Sequence, residues 1–92
     1  MRARFRALGS FELTQRDLFV IFGDVLEGVV RAGMMVSLPL NQAVSISEPI
    51  HSVEYLDGPA VFHLALTFRL DQEARDMMKA LHITNEELSL EG

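Results

Sequence analysis

The chain has 92 residues, no cysteine and a net charge of −5, and 49% of its residues are hydrophobic. That is one domain's worth of chain with a thin core, and it excludes disulfides, thiolate metal ligands and cysteine nucleophiles. Arg2, Arg4 and Arg6 are three of only eight basic residues, and residues 71–92 carry six acids against two bases; so acidic a body repels phosphate backbones, and general nucleic-acid binding is not expected.

Taken in chain order, the first nine residues read as a basic N-terminal segment or an edge strand. No long apolar stretch follows the arginines, so they do not begin a signal peptide. Phe11 and Leu13 alternate with Glu12 and Thr14, a strand pattern. Gln15-Arg16-Asp17 is a turn or a bulge. Leu18 to Val25 is a second strand, apolar on both faces, and its Leu18 to Phe22 stretch is the longest uninterrupted apolar run. It falls far short of the roughly 20 residues of a membrane-spanning helix. Met34 to Leu40 is a further strand, ended by Pro39 and Asn41. Val44 and Ile46 make a short one before Pro49.

Ile50, Val53 and Tyr55 form a strand with one irregular step. A bulge at His51-Ser52 would bring Ile50 and Val53 to one face. Asp57-Gly58 signals a turn. Phe62, Leu64, Leu66, Phe68 and Leu70 then alternate with His63, Ala65, Thr67 and Arg69, the clearest strand in the chain. After Asp71, a helix N-cap, the period changes. Ala74, Met77, Met78 and Leu81 share one helical face over residues 71–82, and Gln72, Glu73, Arg75, Asp76 and Lys79 take the other. Thr84 and Glu87 have capping-box spacing, which predicts a further helical turn; a last strand through Leu88 and Leu90 is the alternative. One domain spans 1–92, with β structure over 10–70 and a helical segment and tail over 71–92. The fold class is mainly β: a small closed barrel of about six strands with a short C-terminal helix.

The segment from Gly23 to Val36 reads G-x-V-x-x-G-x-V-x-x-G-M-x-V. It resembles the hairpin signature in the second domain of elongation factor Tu and related translation GTPases. Gly28 and Gly33 can supply positive φ in tight turns, with Val25, Val30 and Val36 as inward side chains between them. Phe11-Glu12-Leu13 is similar to the strand before that signature. Val53-Glu54-Tyr55-Leu56 is similar to a later one. The resemblance covers roughly residues 10–70 and implies a closed barrel. It departs from the family where function is concerned. The chain has no G-x-x-x-x-G-K phosphate loop, so a free-standing barrel that binds no nucleotide is expected. Arg16 matches an arginine the family carries before the signature, but without its flanking glycines. The family's use of this neighbourhood to seat the acceptor end of aminoacyl-tRNA is not carried over.

Chemistry is hard to find. His51, His63 and His82 lie on different elements, and no catalytic, cofactor-binding or metal-ligating residue is assigned. The informative feature is apolar. If Phe19, Ile21, Gly23 and Val25 face the core, Leu18, Val20 and Phe22 face the other way and need a cover. The two candidate covers are the helix, through Met77, Met78 and Leu81, and a second chain. Those six residues are the candidate interface, and Arg2, Arg4, Arg6 and Arg16 are the candidate anion contacts. The expected role is a non-catalytic cytoplasmic module that binds a protein partner or forms a homo-oligomer. An RNA- or ribosome-associated accessory is the alternative.

Overall fold

A computed structural model of the chain describes residues 2–39, 45–57 and 62–92. Among the described residues seven strands run in chain order: β1 (Arg2–Leu13), β2 (Leu18–Glu27), β3 (Met35–Pro39), β4 (Ser45–Pro49), β5 (Ser52–Asp57), β6 (Phe62–Arg69) and β7 (Glu86–Glu91). One helix, α1 (Gln72–Ala80), lies between β6 and β7. The strands form one antiparallel sheet in the order β4-β3-β7-β1-β2-β6-β5. Among the described residues its edges, β4 and β5, are not paired with each other. The mainly β class with a short helix is as expected. The sheet, however, is an open half-barrel of seven strands, not a closed barrel of about six.

The N-terminal segment is neither a loose basic end nor an edge. β1 is the middle strand, paired with β7 on one side and β2 on the other. Ala3, Phe5 and Ala7 face the core, and Arg2, Arg4 and Arg6 face solvent. The sequence carries that period-2 alternation, apolar at 3, 5 and 7 and basic at 2, 4 and 6. The C-terminal segment resolves to the alternative: β7 pairs with β1 and β3 and buries Leu88 and Leu90, and no second helical turn forms.

β1 and β2 are joined by a 3-10 turn over Thr14–Arg16, closed by Asp17 in the left-handed region (φ 54°). Phe19, Ile21, Val36, Leu66 and Phe68 are fully buried in one cluster, and Val30, Val53 and Leu64 pack against its margin. The side chain of Phe62, the Asp57-Gly58 turn, Leu40 and Val44 lie outside what is described. Ile50-His51 is the corner at which the chain leaves the β3 edge for the β6 edge. Ile50 N–H donates to Met34 O at 2.9 Å, and His51 N–H donates to Thr67 O at 2.7 Å. The irregular step is therefore a change of partner strand, and Ile50 is buried at it.

α1 starts where the Asp71 carboxylate accepts from the Ala74 N–H at 2.9 Å. It lays Met78 into the core, with Ala74 and Leu81 beside it. Met78 thus joins Phe19 and Ile21, on the face opposite Leu18, Val20 and Phe22. The helix is not the cover of those outward side chains. Leu18 and Val20 are nonetheless buried, in register with Leu13 and Arg69 and with Phe11 and Thr67. Phe22 lies over Gly9 and packs against Phe11 and His63, with ring centroids 6.0 and 6.3 Å away.

Candidate functional site

The sheet's opening positions the site. β1 bulges between Ala7 and Gly9, which brings its backbone against Gly23. β6 accompanies β2 only as far as the Leu64–Gly23 pair, so among the described residues Asp24 to Glu27 are paired to β1 alone. Among the described residues Val25 consequently has no strand beyond it. It is 40% exposed, although its partner on β1, Phe5, is fully buried. The expectation that Val25 belongs to the core fails for this reason: alternation sends it to the concave side, where it remains exposed.

The chain then turns through Gly28 (φ 79°) and Gly33 (φ 90°), the positive-φ positions expected from the spacing. Gly33 N–H donates to Ile50 O at 2.8 Å, and Arg31 N–H points at the Met34 sulfur at 3.2 Å. This fixed loop stands across a cleft of about 380 Å³ from β5 and β6. Its apolar lining is Val25, Val29, Val30, Val53, Tyr55 and Leu64. Tyr55 is 78% exposed and Val29 53%. At the rim His63 Nδ1 lies 3.3 Å from Asp24 Oδ1. Among the described residues no nucleophile hydrogen-bonds to the His63–Asp24 pair. Among the described residues no group of three His, Asp or Glu side chains could hold a metal ion.

A second polar constellation escaped the sequence. Helical periodicity puts Arg75 on the charged face of α1, yet it is 3% exposed. Its Nε donates to Glu12 Oε2 at 2.7 Å, and its Nη1 donates to Asp17 Oδ1 at 3.0 Å and to Leu70 O at 2.6 Å. Lys79 Nζ donates to the other Glu12 oxygen at 3.0 Å. Hydrogen bonds from Arg75 and then Lys79 hold the Glu12 carboxyl below its ordinary value, against the opposing effect of burial. The Glu12 partnership raises both Arg75 and Lys79. Every buried side-chain nitrogen and oxygen among the described residues has a partner. This is a structural staple that ties α1 to the β1–β2 connection. The only sequence signal was that Arg75 borders the Ala74/Met78 stripe.

The candidate residues do not converge. Met78 is core. Leu18 and Val20 are buried within the chain, while Met77 is 42% exposed on α1. Arg2 pairs with Glu91 at 3.4 Å, and Arg4 pairs with Glu27 at 3.4 Å and with Glu87. Arg6 is exposed and stands in register with Asp24 and Glu87. Arg16 lies at the other end of β1 from these three, beside Arg69 and His51. No helix is long and apolar enough to cross a membrane among the described residues. Comparison with protein-family models, curated proteins and solved structures returns no match.

Proposed function

We propose that this chain is a non-catalytic interaction module that docks on a protein partner through the cleft at the open side of its half-barrel. The observation that carries the reading is the convergence of Val25, Val29 and Tyr55, all substantially exposed, around one concavity. Exposed apolar side chains scattered singly need no explanation; gathered around a cleft they stand to gain roughly 25 cal/mol per Å² when covered. The RNA alternative is less well supported, because Arg2 and Arg4 already face acids of their own sheet. We further read the sheet as a relative of the second domain of translation GTPases. Support comes from the left-handed Gly28 and Gly33 and from the close backbone approach at Gly23.

The test is comparative capture from the lysate of the source cell, with protein and RNA both quantified. Tagged wild-type chain is set beside Val29→Asp and Tyr55→Asp, both surface changes. A protein retained by the wild type and lost from both variants supports the cleft as the docking site. Capture dominated by RNA, or unchanged in both variants, overturns it.

A further inference from the structure

The cleft borders an unfinished edge. Among the described residues β5 is hydrogen-bonded on one side only, to β6, so its other row of backbone donors and acceptors is open to a new strand. Its two faces differ in chemistry. Val53 and Tyr55 line the cleft, and Glu54, between them, faces the opposite side with its carboxylate exposed. Asp24 adds a second acid at the rim. Resting on the interaction reading above, we propose that β5 takes an extended segment of a partner protein as an added strand, apolar where it faces the cleft and basic at the alternate positions beside Glu54.

The faces decide between this partner and a second copy of the chain. In an antiparallel pairing of two β5 strands, each side chain keeps to its own face only if Glu54 lies opposite an even-numbered residue. The two Glu54 carboxylates then meet directly or diagonally, and like charges so placed repel. Each copy also brings a net charge of −5. A strand with lysine or arginine at the same positions turns that repulsion into attraction and still places its apolar residues over Val53 and Tyr55. Main-chain hydrogen bonds along the edge supply register, and alternate side chains supply selectivity.

The test is a nuclear magnetic resonance titration of the full ¹⁵N-labelled chain. The probes are short peptides that alternate lysine with valine, leucine, phenylalanine or tyrosine. Each is paired with a version N-methylated at alternate residues and with one carrying glutamate for lysine. The expected result is saturable shifts at residues 52–55 and at Val29 and Leu64, with slowed amide exchange along β5, for at least one lysine peptide. N-methylation, which removes strand donors, should weaken it at least about tenfold. Glu54→Lys, an exposed change that leaves the core intact, should weaken the lysine peptide about tenfold and favour its glutamate counterpart. Methylated peptides that shift Val29 and Leu64 equally well would overturn strand addition while leaving the cleft as a docking site. No shift at the edge or in the cleft at millimolar peptide overturns strand addition as well. The interaction reading then falls only if the captured protein is also insensitive to Val29→Asp.

Discussion

Gly23→Ala tests whether the first glycine of the signature is required by contact with its neighbour or is incidental. A Cβ built at Gly23 would sit 1.8 Å from the carbonyl oxygen of Arg6, and real Cβ contacts do not fall below 3.0 Å. The two central strands would have to separate by at least about 1.2 Å at the β1 bulge. The obstacle is backbone, so no side-chain rotation relieves it. Overpacking of this kind costs about 1–3 kcal/mol, and each ladder hydrogen bond stretched beyond use costs about 0.5–1.5 kcal/mol more. We expect a loss of about 3–5 kcal/mol, a large part of a small domain's stability. In calorimetry that is a fall in Tm of at least about 12 °C. Two controls isolate the cause. At Gly9 the nearest atom is the tip of the Phe22 ring at 2.7 Å, which can swing away, so Gly9→Ala should cost less. At Gly33 nothing lies within 4 Å, but φ is +90°. Gly33→Ala should therefore cost only the left-handed backbone penalty, about 1–2 kcal/mol. A Gly23→Ala protein within about 1 kcal/mol of wild type, or one more stable than Gly33→Ala, would refute the steric argument.

Leu66→Ala and Phe68→Ala remove fully buried side chains and should each cost about 2–5 kcal/mol by urea denaturation. Val25→Ser should stay within about 0.5 kcal/mol of wild type, whereas Val36→Ser should be clearly destabilising, because only Val36 is buried. Glu12 is held below its ordinary value, about 4.3 for a free glutamate. Its stabilisation is complete above that value and is lost as pH falls through the lower, folded one. The urea midpoint should therefore drop in that acid window, and Glu12→Gln should flatten this drop while lowering the midpoint at neutral pH. Arg75→Met should lower the neutral midpoint too, since it removes the buried partner of Glu12 and leaves that carboxylate its weaker bond to Gln72 and the half-exposed Lys79. Calorimetric titration with GTP should show no heat of binding, because the sequence holds no phosphate loop; a micromolar dissociation constant would overturn that expectation.

Local order was readable wherever one rule covered a run of residues. Alternation picked out Phe19, Ile21, Leu66 and Phe68 as inward, and these four are fully buried, whereas Val53 and Leu64 of the same inward set are only partly so. Asp71 caps α1, and Gly28 and Gly33 turn the chain at positive φ, because caps and tight turns depend on a few adjacent residues. Periodicity names the side a residue faces, but it does not say whether anything lies on that side. Among the described residues β6 pairs with β2 only as far as Gly23, and Val25, which faces inward beyond that point, is exposed. Arg75 is on the charged flank of its helix and is buried because Glu12 and Asp17 arrive from the β1–β2 connection, over 50 residues away along the chain. The central place of β1 and the gap between β4 and β5 are likewise matters of which distant strands meet. Such pairings depend on long-range packing, for which a single sequence carries no local signal. They decide where the sheet stays open, and hence where the cleft lies.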